Sequence, residues 1–190
     1  MQVTIDGFIE GPNGELDWAM KEDEETWKDV LALQGSADTL LLGRVMYPAF
    51  EKYWLAAPTN QSSTKNEIKY AGLANKMQKI VFSKTLEKVE WKTTRIIKDH
   101  IAEEIHKMKN QPGKDMVLLG GAGLVSTFMN LGLIDEYHLI VNPLVLGGGK
   151  PLFKGIKERH KLTLMKTTSF KSGKVVLHYG KDRTNEGVRK

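Results

Sequence analysis

Three short clusters in this 190-residue chain combine residue types that can grip phosphate. The apolar run Met116-Val117-Leu118-Leu119 leads straight into Gly120-Gly121-Ala122-Gly123, and Leu124, Val125, Phe128, Met129 and Leu131 then recur with helical spacing. A strand, a glycine turn and a helix start follow one another. Glycines let the backbone approach a ligand closely, and the N–H groups and positive dipole end of a helix favour phosphate. The segment lacks both the GxGxxG and the GxxxxGK[ST] spacing, so alone it reads equally well as a tight turn with no ligand. Gly43-Arg44 closes a second apolar run, Thr39–Leu42, and Ser83-Lys84 closes a third, Lys79–Phe82. Singly, Arg44 suits a surface ion pair and Ser83-Lys84 suits a turn or helix cap. Ligands of open α/β sheets bind outside the carboxyl ends of the strands. A guanidinium, a hydroxyl with an ammonium, and a glycine nest at three such ends suit a molecule with several separated phosphates, such as a phosphorylated dinucleotide.

Other chemistries find little support. The chain has no cysteine, which excludes disulfides, thiolate metal sites and a zinc deaminase of the Pro-Cys-x-x-Cys type. His100, His106, His138, His160 and His178 show no metal-binding spacing and read as structural, so no metal is expected. No Gly-x-Ser-x-Gly or Cys/His pair marks a nucleophilic enzyme. Met108, Met129 and Met165 read as core fillers. The net charge of +5 comes from lysines interleaved with acids, a solvated surface with some attraction for a phosphorylated small ligand. No basic stripe with interleaved aromatics appears, so a nucleic-acid partner is not expected. No apolar run approaches the roughly 20 residues of a membrane span, and the N-terminus lacks signal-peptide order, so a cytoplasmic protein is expected.

The elements that must position these clusters follow from periodicity and turn chemistry. Residues 1–9 read as a short strand, with turns at Asp6-Gly7 and Gly11-Pro12-Asn13-Gly14. Trp27, Val30, Leu31 and Leu33 suit a helix from Asp23, a plausible N-cap, to Gln34, with Gly35 as its stop. A second helix carries Val45 to Trp54, with Pro48 tolerable only near its first turn. Residues 56–66 are polar and turn-rich, a candidate mobile loop. Helices around Glu67–Lys76 and His100–Asn110 flank the strands Lys79–Phe82 and Thr94–Ile97. Tyr137–Leu146 reads as a long strand closed by Gly147-Gly148-Gly149, and Leu162–Phe170 with Val175–Tyr179 as a hairpin about Lys171-Ser172-Gly173-Lys174. Alternating strands and helices with a terminal hairpin predict a three-layer α/β fold on a mostly parallel mixed sheet. One domain is expected over residues 1–181, with a polar, fraying tail at 182–190.

The ordered set Thr4-Ile5-Asp6-Gly7-Phe8-Ile9, Gly11-Pro12-Asn13-Gly14, Leu16-Asp17-Trp18, Leu42-Gly43-Arg44, Val81-Phe82-Ser83-Lys84-Thr85-Leu86, Gly120–Gly123 and Pro143-Leu144-Val145-Leu146-Gly147-Gly148-Gly149 resembles the C-terminal reductase domain of bacterial bifunctional riboflavin-biosynthesis proteins. That domain belongs to the dihydrofolate reductase-like superfamily. The resemblance runs from residue 3 to about 180 and is strongest to stand-alone members of the superfamily. It implies a dihydrofolate reductase-like fold and NADPH as hydride donor. By position Gly43 and Arg44 match a phosphate-contacting Gly-Arg, Ser83 and Lys84 the pair beside the adenosine 2′-phosphate, and Gly120, Gly121, Ala122, Gly123 and Leu124 the pyrophosphate-binding helix start. Lysine in place of arginine at 84 supplies charge without a bidentate fork, which softens the expected preference for NADPH over NADH.

The resemblance also supplies catalytic candidates. Asp23, five residues after Trp18, matches the acid that contacts the pterin in dihydrofolate reductases, with Glu22 second; as a residue at a helix start, Asp23 reads more readily as an N-cap. Asp6 matches an active-site Asp-Gly of the riboflavin-type reductases, or simply forms a turn. Asp17 and Trp18 would line the substrate mouth, although a buried Trp is commonly core. Only five residues precede Asp6, so the first strand is expected to be short or its start truncated, and no deaminase segment accompanies the reductase-like one. The expected activity is NADPH-dependent reduction of a small heterocyclic or ribosylamine-type substrate, with 5-amino-6-(5-phosphoribosylamino)uracil ahead of a pteridine. A nucleotide-binding member without catalysis is the alternative. A homodimer is expected, resting on the apolar Tyr137–Leu146 run, the hairpin and the resemblance.

Overall fold

A strand that is apolar at every position must be covered on both faces, the situation of a parallel sheet between helices. Leu40-Leu41-Leu42 is such a run, and all three residues are buried. The computed structural model describes residues 1–19 and 23–182, and the elements in chain order are β1 (Gln2–Thr4), β2 (Phe8–Glu10), α1 (Glu24–Gly35), β3 (Ala37–Gly43), α2 (Tyr47–Ala56), α3 (Lys65–Lys76), β4 (Gln78–Phe82) and β5 (Thr94–Ile97). They continue as α4 (Ile101–Lys109), β6 (Asp115–Gly120), α5 (Ala122–Asn130), β7 (Glu136–Asn142), β8 (Lys150–Pro151), β9 (Leu162–Ser169) and β10 (Val175–Lys181). The chain divides into two compact units, one from Glu24 to Leu124 and the other from the segments before and after it.

In the Glu24–Leu124 unit, four parallel strands lie in the order β5-β4-β3-β6. Leu40, Leu42 and Val81 pack with Tyr47, Trp54, Tyr70, Ala71, Ala74 and Trp91 in one buried cluster. Leu41 and Ile80 alternate with them along the strands and so point to the opposite face. Pro48 falls in the first turn of α2, where its missing N–H costs nothing. Thr64 and Glu67 form a reciprocal capping box that fixes the start of α3. The polar segment before it is a series of turns, in which Asn60 accepts from the backbone N–H and hydroxyl of Ser62.

Lys79 is the unexpected core residue of this unit. Its side chain is 0% exposed and donates to the carbonyls of Ala74 (3.0 Å) and Asn75 (3.3 Å), capping the end of α3 where the helix dipole favours a cation. The ammonium also lies 4.5 Å from the centre of the Trp91 ring. Burial nevertheless pulls its pKa down to about 8.

The other unit holds a mixed sheet in the order β1-β7-β10-β9, with β1 and β7 parallel and the rest antiparallel, and a two-stranded ribbon of β2 and β8. The terminal hairpin turns at Phe170–Lys174 as its sequence predicts. Two expected spans are shortened. Residues 1–9 split into β1 and β2, because Gly7 takes a φ of +82° and the Thr4 hydroxyl accepts from the N–H of Phe8. The strand expected to reach Leu146 stops at Asn142, because Pro143 has no N–H for a ladder and Leu144 N–H turns back to the Asn142 carbonyl (2.8 Å). The pairing of β8 with β2 had no sequence signal, since each is three residues or fewer. The architecture is the predicted α/β fold with a C-terminal antiparallel hairpin.

Candidate functional site

In the parallel sheet the chain builds outward from β3 to β4 and β5, and α4 then carries it to β6 on the other side of β3. The strand order therefore reverses between β3 and β6. That is the position at which an open α/β sheet leaves a crevice beyond its strand ends. Register places the sequence-predicted cofactor residues along this one edge. Gly43 pairs with Phe82, Leu42 with Gly120, and Phe82 with Ile97. Arg44, Ser83 and Gly121 thus leave the sheet side by side, with Lys98 beyond β5.

The glycines at the switch point have separate reasons. A side chain at Gly43 would put its Cβ 3.0 Å from the carbonyl oxygen of Gly120, so the ends of β3 and β6 approach as closely as their backbones permit. Gly120 and Gly121 take φ values of +83° and +61°, a left-handed pair that turns the strand into α5. A Cβ on Gly121 or Gly123 would meet no atom within 4 Å apart from its chain neighbours and the backbone of α5 itself, so space stands open beside these two glycines. The Leu124 N–H is engaged by the Gly121 carbonyl at 3.0 Å, which leaves that residue to contribute through its side chain. Ala122 is buried.

The charged partners differ in readiness. Arg44 is exposed, and no described residue pairs with its guanidinium. Ser83 is buried, and its hydroxyl oxygen accepts from Thr85 N–H (3.1 Å) and Leu86 N–H (2.8 Å), so it caps its own turn. Lys84 is exposed and lies 3.4 Å from Asp99, which follows β5. An anion arriving at Lys84 meets a carboxylate that competes for it.

The acidic candidates lie in the other unit and engage separate partners. Asp6 accepts from the Thr4 hydroxyl (2.6 Å), from Gly147 N–H (2.8 Å) and from Leu146 N–H (3.2 Å for the nearer oxygen). The Thr4 hydroxyl, then the two backbone N–H groups, hold its carboxyl below the usual range. Asp6 therefore fastens the loop after β7 to the turn after β1. In that loop Gly149 passes so near the ribbon that a Cβ would sit 2.2 Å from the Glu10 carbonyl oxygen. Asp23 accepts from the Ser172 hydroxyl at 2.5 Å and lies 3.6 Å from the Lys174 ammonium, with both charged side chains nearly buried. Lys174 and Ser172 carried no sequence signal as its partners, being about 150 residues away. Trp18 is buried with its indole N–H unpartnered, whereas Asp17 is exposed. Glu22 lies outside the described residues.

Residues 1–176 match the family model of the RibD C-terminal domain. The chain belongs to that family. Within and beyond this RibD-type group, it is 41% identical over 180 residues to the uncharacterized protein YyaP of Bacillus subtilis (strain 168), covering 94% of this chain and 91% of that one. Among solved structures it resembles a putative riboflavin biosynthesis protein from Shewanella sp. PV-4, with a TM-score of 0.75, 20% identity and 96% and 97% of the two chains covered. It also resembles the diaminohydroxyphosphoribosylaminopyrimidine deaminase/5-amino-6-(5-phosphoribosylamino)uracil reductase of Thermotoga maritima, with a TM-score of 0.67, 14% identity and 55% of that longer chain covered. At such identities the two structures establish a shared fold, that of RibD-type reductase domains. No helix among the described residues is long and apolar enough to cross a membrane.

Proposed function

We propose that this RibD-type chain is a reductase that takes NADPH as hydride donor and reduces a small heterocyclic or ribosylamine-type substrate, as in pyrimidine reduction during riboflavin synthesis. The observation that carries this reading is the close approach of Gly43 to Gly120 at the reversal of strand order, with the unpaired Arg44 on one side and the open Gly121–Gly123 turn on the other. In this reading Gly120 to Gly123 accept the pyrophosphate against the start of α5, Leu124 packs beneath it, and Arg44 neutralises a phosphate. Ser83 shapes the turn that presents Lys84 to the 2′-phosphate, and Asp99 weakens that contact. When bound, the nicotinamide supplies a hydride to an electrophilic carbon of the substrate. Asp23, fixed by Ser172 and Lys174, is the proposed carboxylate contact for the substrate, with Asp17 and Trp18 beside it in sequence. Asp6 acts by bracing the glycine loop. We include homodimerisation in the proposal, supported by the exposed Leu164 and Met165 on the edge strand β9, with sedimentation as its check.

The test is a side-by-side titration with NADPH and NADH of the wild type and Arg44→Ala, followed by turnover with candidate substrates. The expected result is NADPH binding stronger than NADH binding, weakened by about tenfold or more in the variant, the loss of one charge-assisted contact. Binding of neither nucleotide would overturn the reductase reading. Binding without turnover on pyrimidine or pteridine substrates would place the chain among nucleotide-binding members of the fold without catalysis.

A further inference from the structure

Strand pairing in the mixed sheet assembles a group of side chains that no sequence spacing announces. Glu136 and His138 stand two residues apart on β7, so they point to the same face, and His178 of β10 stands directly across from His138 in the antiparallel register. The two imidazoles stack with centroids 3.9 Å apart and planes 26° from parallel. One oxygen of Glu136 lies 2.8 Å from His178 Nε2 and 3.8 Å from His138 Nε2. The candidate donor atoms of the three side chains all lie within 4.8 Å of one another.

We propose that Glu136, His138 and His178 form a binding site for a divalent transition-metal ion of the zinc type. Two imidazoles and one carboxylate are an established donor set for such ions, with metal–ligand bonds of about 2.0–2.2 Å. Donors on a tetrahedral ion at those lengths stand about 3.3 Å apart. The two observed Glu136 distances bracket that value, and the stacked imidazoles, whose donor atoms lie within 4.8 Å of each other, must rotate about their side-chain bonds to converge on the ion. A single carboxylate oxygen hydrogen-bonds well to only one of the two rings. A cation placed among the three would engage both.

The surroundings set the character of the site. The side chains of His138 and His178 are 26% and 19% exposed and that of Glu136 is 52% exposed, so one side opens to water and leaves coordination positions for solvent. Lys166 of β9 is the cross-strand partner of His178 and shares its face, and the Met1 ammonium donates to the His138 carbonyl at 2.7 Å. These two positive charges oppose a cation, so affinity in the micromolar range is expected rather than that of a closed structural zinc site. The ion would pin β7 to β10.

The experiment uses the full chain freed of metal with chelator, and titrates Zn²⁺ by calorimetry and Co²⁺ by its visible absorption. We expect one ion per chain, a Co²⁺ spectrum typical of nitrogen and oxygen ligands in a low-coordinate site, and a melting temperature raised by Zn²⁺. His138→Ala and His178→Ala should each weaken binding by at least about 100-fold, and Glu136→Gln by about tenfold or more. His100→Ala, at an exposed histidine near Glu103, should leave it unchanged. Melting in chelator reports whether each variant folds, and His178→Gln replaces any that does not. No stoichiometric binding to the wild type, or binding that survives both histidine variants, would overturn the proposal.

Discussion

Replacing Gly43 by alanine tests the geometry on which the proposed cofactor site rests. The added Cβ would sit 3.0 Å from the Gly120 carbonyl oxygen and 3.7 Å from the Leu124 Cβ. A carbon and a carbonyl oxygen are comfortable at about 3.3–3.6 Å. The neighbour must therefore retreat by a few tenths of an ångström. It is the backbone carbonyl of a residue in the β3–β6 ladder that itself has a φ of +83°, so it cannot swing aside as a side-chain end would. Overpacking of this kind costs about 1–3 kcal/mol. For a chain of this size that lowers the melting temperature by roughly 2–10 °C. The displaced atoms belong to the glycine turn itself, so NADPH affinity should fall together with stability. Gly123→Ala is the partner experiment, because its Cβ meets nothing within 4 Å and it lies in the first turn of α5. It should keep or raise stability, by up to about 1 kcal/mol, while lowering NADPH affinity by crowding the ligand. Thermal denaturation with fluorescence titration of both variants reads all four quantities. A Gly43→Ala protein as stable as wild type and binding NADPH equally well would refute the argument that the close approach of the two strand ends builds the site.

Asp23→Asn should destabilise the protein by about 3 kcal/mol in denaturant unfolding, because it leaves the nearly buried Lys174 ammonium without its counter-charge; adding Lys174→Met should recover most of the loss, and equal stability of both variants would show the pair to be idle. Asp6→Ala removes the acceptor for Leu146 and Gly147, so hydrogen exchange at those two amides should accelerate. The folded carboxyl is held below its unfolded value, so its contribution is present above about pH 4 and fades as pH falls through the lowered value; wild-type exchange at those amides should rise correspondingly on acidification. Lys79 has the opposite sense. Its folded pKa of about 8 lies below the unfolded value near 10.5, so the unfolded chain holds more protons between them and stability gains with pH across that window, by about 3 kcal/mol at most. Lys79→Met should flatten the dependence between pH 8 and 9.5 relative to wild type, and parallel curves for the two proteins would contradict the buried lysine's assigned pKa.

Much of the fold was legible because its signals are local. The Leu40–Leu42 run marked a strand covered on both faces, the Lys171–Lys174 segment marked a hairpin, and Pro48 could only begin a helix. The three strand ends with glycine or basic residues were legible for the same reason, since each is a contiguous pattern at the close of an apolar run. Ser83 shows the limit of that reasoning. Its type suited a ligand contact and a turn cap alike, and only its hydrogen bonds to Thr85 and Leu86 assign it to the turn. Strand order and register alone placed Gly43 against Gly120 and His178 against His138, and tertiary packing brought Ser172 and Lys174 of the hairpin turn to Asp23. A chain records period, turn chemistry and caps within a few residues. Which distant residues meet depends instead on how whole strands and helices pack to bury their apolar faces, and Lys79, read as the start of an apolar strand, became a buried helix cap for that reason.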